Sequence, residues 1–149
     1  MTAGTGNAEN GQVRSAGGEG PRWAAEAVAL AGGAGGARGG IRLDYSVRSL
    51  VLVDRVIDGA RRQEATREKV AGALLRFGAY TGEVLVRCAG AQWVDFGAAQ
   101  RLVFGQPFGT RTPDGRVWNP LGKAFKRFDY GAEESLHRFA LAVLGAAHP

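Results

Sequence analysis

Glu83 is the carboxylate best placed for chemistry in this sequence. It follows Tyr80 by three residues and precedes Arg87 by four, within a stretch that carries glycines at 78 and 82. A glutamate held between apolar helices has its charged form disfavoured, which raises its pKa and suits it to general acid–base work. The same spacing supports two structural readings. One is an ion pair with Arg87 in the favourable i, i+4 order. The other is acceptance of a hydrogen bond from a backbone amide or from the Trp93 indole. The structural readings carry more weight, because ion-pair networks place carboxylates in such surroundings without any reaction.

Cys88 and His137 are the one thiol–imidazole combination with a plausible shared core. Nucleophilic catalysis requires the two within hydrogen-bond reach, with a third group orienting the base. Helical spacing instead puts Cys88 on an apolar stripe, where a free cysteine acts as a small hydrophobe, and His137 on a polar side. His148 reads as part of a fraying terminus. Two histidines and one cysteine show none of the ligand spacings used by zinc. The glycine pairs 32–33 and 35–36 precede no lysine followed by serine or threonine, so they form no phosphate loop. Neither a cofactor nor a metal is expected.

The remaining chemical signal is charge. The +5 excess lies beyond residue 40 and concentrates in one window, where Arg101, Arg111, Arg116, Lys123, Lys126 and Arg127 face Asp114 alone. Trp93, Phe104, Phe108, Trp118, Phe125 and Phe128 interleave with them. Basic surfaces bearing aromatic rings can track phosphates and stack bases, or meet an acidic protein. A small domain needs most of its aromatics for its core, which leaves the basic residues as an outer face. Trp118, at a strand end, is the aromatic expected to remain partly exposed and to anchor a partner.

Helical periodicity predicts a helix over 46–62, with Leu50, Val53, Val56, Ile57 and Ala60 inward and Asp44 or Ser46 as cap. A second helix spans about 66–88. Gly78 and Gly82 lie on one face of it, which implies close approach of another backbone, the first helix or a strand. Gly90 ends that helix. Strand-like runs follow at 92–96 and 101–104, then strands near 107–111 and 116–118 joined by the Pro113-Asp114-Gly115 turn. Asn119-Pro120 opens a short helix, with Lys123, Lys126 and Arg127 outward. A final helix runs from about 132 to 144, with Leu136, Phe139, Ala140, Val143 and Leu144 as its core stripe.

The fold class expected is therefore α+β: two N-terminal helices, a small and mainly antiparallel sheet, a short helix and a C-terminal helix, all within residues 41–149. Residues 1–40 hold half of the 24 glycines and little apolar bulk. Such a segment cannot offset the entropy of ordering its backbone, and it reads as a disordered leader. The apolar run from Trp23 to Ala31 is interrupted by Glu26 and makes a poor signal peptide. With one cysteine and no apolar run of membrane-spanning length, the expectation is a cytoplasmic protein without membrane contact.

Three stretches together resemble a known group. They are Phe77-Gly78-Ala79-Tyr80-Thr81-Gly82-Glu83-Val84 with Trp93 after it, Pro113 to Pro120, and Lys126-Arg127 followed by Gly131 and Glu134-Ser135-Leu136. The pattern resembles uncharacterised, actinobacterial-type domains of unknown function, in which a GAYxGE helix precedes a tryptophan strand. The resemblance covers about residues 43–144. It implies a compact α+β fold and no particular activity, with immunity proteins as an analogy of size and style alone. The leading expectation is a non-catalytic protein-binding module, with Glu83, Trp118, Arg111, Arg116, Lys123, Lys126 and Arg127 as candidate binding residues. A nucleic-acid binder using the basic window is the alternative, followed by a small enzyme using Glu83 with Tyr80 or Arg87.

Overall fold

A computed structural model describes residues 15–33 and 40–147. Its elements, in chain order, are α1 (Ala16–Gly33), α2 (Leu50–Arg62), α3 (Arg67–Ala89), β1 (Gln92–Asp95), α4 (Ala98–Phe104), β2 (Phe108–Arg111), β3 (Val117–Trp118), α5 (Pro120–Tyr130) and α6 (Leu136–Ala147). Short 3-10 turns at Val47–Ser49 and Ala132–Glu134 lead into α2 and α6. The three strands form one antiparallel sheet in the order β1-β2-β3, with Trp93 opposite Thr110 and Thr110 opposite Trp118. The fold is α+β.

Helix α3 is the axis of the molecule. Every residue from Phe77 to Leu85 is buried, which no amphipathic surface helix shows. Thr66 caps its start by accepting from the Lys69 amide, and Gly90 ends it in the left-handed conformation at φ 70°. Helices α1, α5 and α6 pack around it, so the core joins side chains from α2, α3, α5 and α6 with the alanines of α1.

Helix α1 overturns the expectation of a disordered leader for residues 16–33. That expectation counted large apolar side chains, whereas this helix buries small ones. Ala16, Gly20, Ala24, Ala27 and Ala31 recur at helical spacing and are all buried. Their lack of bulk lets α1 lie close against α3. Asp95 Oδ1 accepts from the Ala16 amide at 2.8 Å, which ties the start of α1 to β1. Arg76 of α3 donates to Glu26 at 2.9 Å, and Trp23 packs on Phe108 with ring centres 5.3 Å apart. Residues 1–14 and 34–39 of the expected leader lie outside the described residues, as does His148. Ala24, Ala27 and Ala31 of α1 thus belong to the same buried core as residues beyond 41.

The strand expected at 101–104 is also absent, because those residues belong to α4. Gly97 and Gly105 bound this helix. The Gly97 amide donates to Gln100 Oε1 at 3.1 Å, and Gly105 takes the left-handed position at φ 70°. These end signals prevail over the β propensity of Leu102, Val103 and Phe104, which have no neighbouring strand to pair with. The final helix starts at Leu136 and not at Ala132. Ser135 serves as its cap, its Oγ accepting from the Arg138 amide at 3.1 Å.

The paired glycines of α3 are explained by what faces them. A Cβ on Gly78 would stand 2.7 Å from the Leu121 Cα, so this glycine seats the start of α5 and not α2 or a strand. A Cβ on Gly82 would stand 2.4 Å from the Trp93 ring, and one on Gly20 of α1 equally close to the same ring. Trp93 is thus clamped between two helices at two glycines. Gly72, by contrast, meets only the Arg76 guanidinium, at 3.7 Å.

Two substitutions on one helix should therefore move stability in opposite directions. Alanine gains about 1 kcal/mol over glycine in a helix interior. At Gly72 nothing opposes that gain, and Gly72→Ala should raise the denaturant midpoint. At Gly82 the added methyl overpacks against a ring that cannot retreat, a cost of about 1–3 kcal/mol. Gly82→Ala should lower the midpoint, and equal shifts for the two variants would contradict the clamp.

Candidate functional site

Glu83 is covered and doubly engaged. Its Oε1 accepts from the Trp93 indole N–H at 3.0 Å, and its Oε2 accepts from Arg87 Nε at 3.1 Å. Both structural readings of this residue hold together, and they leave no free carboxylate oxygen facing a cleft. The Arg87 guanidinium then lies over the Tyr45 ring, 3.6 Å from its centre. Tyr80, the proposed partner of Glu83 in catalysis, is turned elsewhere. It is fully buried, its oxygen accepts from the Tyr45 amide at 2.7 Å, and it lies 2.5 Å from Ser49 Oγ. Ser49 Oγ donates to the Ser46 carbonyl, so the Tyr80 hydroxyl is the donor in the shared bond. Burial raises the Tyr80 pKa above the ordinary tyrosine value.

Arg127 is not on the surface. Expected to face outward, it is buried in the interior of the helical layer, where Nε donates to Asp54 Oδ1 at 3.1 Å and Nη2 to Asp58 Oδ1 at 2.9 Å. Asp54 does more than pair with it. Oδ1 also accepts from the Leu136 amide at 2.9 Å, while Oδ2 accepts from Ser135 Oγ at 2.8 Å and the His137 amide at 3.3 Å. A residue of α2 thereby caps α6 from across the core and neutralises a charge from α5. Sequence reasoning missed Asp54 because it sits beside Arg55, between Val53 and Val56, and reads as one of the polar positions of its helix.

The other candidates divide. Lys123 is half-buried and bonded to Glu134, whose carboxyl it holds below the ordinary range. Arg116 is exposed and pairs with Asp114 at 3.5 Å. Asp114 in turn accepts from Thr112 Oγ1 at 2.7 Å and the Arg116 amide, the first of which chiefly lowers its pKa. Trp118 is half-buried, its indole donating to Thr112 Oγ1 at 2.9 Å and its ring edge-on to Phe139. Arg111 and Lys126 are exposed and form no ion pair among the described residues. Arg111 borders a depression of about 250 Å³ with Gln92 and Pro113, and none of the other basic candidates lines it.

Cys88, expected on the apolar stripe, is exposed, with Sγ 3.8 Å from the Tyr45 carbonyl. His137 gives its amide to Asp54. Among the described residues no three potential metal ligands gather, and no helix is long and apolar enough to cross a membrane.

The surface around α4 is the feature the sequence did not suggest. No residue of α4 is buried; Leu102 is 88% exposed and Val103 79%. Beside them a groove of about 480 Å³ is walled by Val103, Phe104, Phe125 and Tyr130, with Lys126 at its edge. Tyr130 is itself 65% exposed. The Asn119 side chain donates to the Phe104 carbonyl at 3.2 Å and so fixes the end of α4 to the start of α5. Compared with family models, curated proteins and solved structures, the chain finds no match.

Removing Asp54 strands a buried guanidinium and uncaps a helix at once. Asp54→Ala should cost about 3–5 kcal/mol in urea unfolding. Arg127→Met should cost less, because Asp54 keeps three donors from residues 135–137. Reversal of that order would contradict the role given to Asp54. Tyr80 sets an alkaline limit: with its folded pKa raised, its contribution is complete below about pH 10, the ordinary tyrosine value, and is lost as pH climbs through the folded value. Unfolding midpoints measured from neutral to alkaline pH should fall in that window for the wild type. Tyr80→Phe should be less stable at neutral pH by about 1–2 kcal/mol and should show a flatter alkaline decline.

Proposed function

We propose that this chain is a non-catalytic protein-binding module whose docking surface is built on α4 and the groove between α4 and α5. The exposure of Leu102 and Val103 carries the reading. Two adjacent aliphatic side chains on a helix with no buried residue contribute nothing to the core. Removing them from water by association is worth roughly 1.5–3 kcal/mol each, enough to act as an anchor. The groove beside them offers Phe104, Phe125 and Tyr130 as walls; Arg67 and Asp129 in its lining pair with each other, which leaves the exposed Lys126 as its one unpaired charge among the described residues. The partner it fits is a protein presenting an apolar side chain with an acidic residue beside it.

The competing readings lose their supporting groups. A nucleic-acid surface over 101–127 was to use Arg111, Arg116, Lys123, Lys126 and Arg127. One of these is buried and two are held by carboxylates. An enzyme using Glu83 lacks a free oxygen on that residue.

The test is capture with the full chain against its double variant Leu102→Asp, Val103→Asp. Both positions are solvent-facing, so the melting temperature should barely move. Affinity for the captured protein should drop about tenfold or more, since each anchor lost exceeds 1.4 kcal/mol. Sedimentation of the chain alone should show a monomer; a dimer dissolved by the double variant would make the partner a second copy. Unchanged capture by the double variant would remove α4 from the interface.

A further inference from the structure

The largest concentration of unpaired positive charge lies away from the α4 surface, in front of α2. A cleft of about 460 Å³ is lined by Arg42, Arg48 and Arg55 with Asp44, Ser46, Val51 and Leu52. It shares no residue with the groove beside α4. Its volume falls within the range of small-molecule sites, about 300–1,000 Å³.

These arginines differ from most of the others; Arg62 and Arg111 are likewise unbonded among the described residues, but neither borders this cleft. Arg22, Arg67, Arg76, Arg87, Arg116 and Arg127 are in ion pairs. Arg61, Arg101 and Arg138 donate to backbone carbonyls. Arg42, Arg48 and Arg55 form no ion pair or side-chain hydrogen bond among the described residues, although they border one cleft with a carboxylate in it. Asp44 Oδ1 is instead occupied by the Ser46 amide at 3.0 Å and the Ser46 hydroxyl at 2.7 Å. Three guanidinium groups against one carboxylate leave the cleft with a net charge of +2. Like charges gathered on one cleft repel one another, and an anion between them relieves that repulsion.

The arrangement is also held in place. Arg48, Val51, Leu52 and Arg55 follow at i, i+3, i+4 and i+7, so the two cations flank two half-buried aliphatic side chains on one helical face. Arg42 comes from the segment before the helix. That segment is fixed to the core through Tyr45, a non-glycine residue at φ 66° whose amide is bonded to the buried Tyr80 oxygen and whose ring stacks on Tyr80 with centres 5.0 Å apart. Guanidinium groups match phosphate in geometry and charge, and Val51 with Leu52 offers an apolar bed between them.

We propose that this cleft binds a small phosphorylated molecule with an apolar or planar body, the phosphate held by Arg42, Arg48 and Arg55 and the body resting on Val51 and Leu52. The probes are adenosine monophosphate, adenosine and inorganic phosphate, titrated into the full chain at low ionic strength by calorimetry and by amide chemical shifts. The monophosphate should bind more tightly than either part, with shifts centred on residues 42–55. Arg48→Gln and Arg55→Gln should each weaken it about fivefold or more. Arg111→Gln removes the same charge elsewhere and should leave binding within about twofold. An equal loss in Arg111→Gln would show that net charge alone was measured and would overturn the site, as would shifts scattered outside 42–55 or no binding by the monophosphate. Phosphatidylcholine vesicles doped with phosphatidic acid distinguish the source of the phosphate. Sedimentation with them that depends on Arg48, while the free monophosphate fails to bind, would overturn the soluble ligand in favour of a lipid headgroup.

Discussion

The architecture depends on the saturation of one carboxylate. Asp54 has two oxygens with about four acceptor sites, and four donors fill them: a guanidinium from α5, a hydroxyl and two amides at the start of α6. Taking a charge from water is costly, and a lone pair with Arg127 would do little better than break even. The amides change that balance, because those first-turn groups of α6 have no partner within their own helix. One side chain of α2 satisfies them and pairs with the guanidinium Nε, while Asp58 of the same helix takes Nη2. The relative placement of α2, α5 and α6 is thereby fixed by hydrogen bonds with direction, where apolar packing alone would tolerate sliding.

A different device holds the other side of α3. There the contact is steric, with Gly20 and Gly82 making room for the flat Trp93 ring, and Glu83 giving it one orientation through the indole N–H. The GAYTGE segment is therefore consumed by packing. Gly78 admits α5, Tyr80 pins the 45–49 segment, Gly82 admits Trp93 and Glu83 orients it. A motif that looks chemical in one dimension is structural in three, because a helix buried all round must accept neighbours on every face and has only small or hydrogen-bonded residues with which to do so.

That contrast explains what could be read in the sequence. Helices α2, α3 and α5 followed from large apolar residues at helical spacing and from capping residues such as Ser46 and Asn119. The turn at 113–115 followed from proline and glycine chemistry, and the pairing of Glu83 from its i, i+4 neighbour. Helix α1 was illegible because its buried stripe is alanine and glycine, whose contribution lies in close approach and not in area, and because Pro21 and five glycines lower its intrinsic helix propensity. Helix α4 was misread because β-branched content was weighed above its two bounding glycines. Arg127 and Asp54 were missed for one shared reason. A salt bridge between residues 73 apart in sequence has no local signature, so each partner reads as a solvent-facing charge on its own helix.

The distribution of arginine then separates scaffold from surface. Nine arginines among the described residues are bound to carboxylates or carbonyls, and several of these bonds tie distant segments, as Arg61 does to Phe128 and Arg76 to Glu26. Their positions are dictated by the fold. A charge that the fold does not use costs little at an isolated exposed site, but three such charges around one cleft add a mutual repulsion that the single carboxylate there, Asp44, offsets only in part. The same logic applies to Leu102 and Val103, apolar groups that the core leaves in water. Both anomalies arise on segments fastened to the core by specific bonds, the 45–49 turn through Tyr80 and the end of α4 through Asn119. The proposed docking surface and the proposed phosphate cleft are these same two places, where the fold fastens a segment to its core and leaves its side chains unsatisfied.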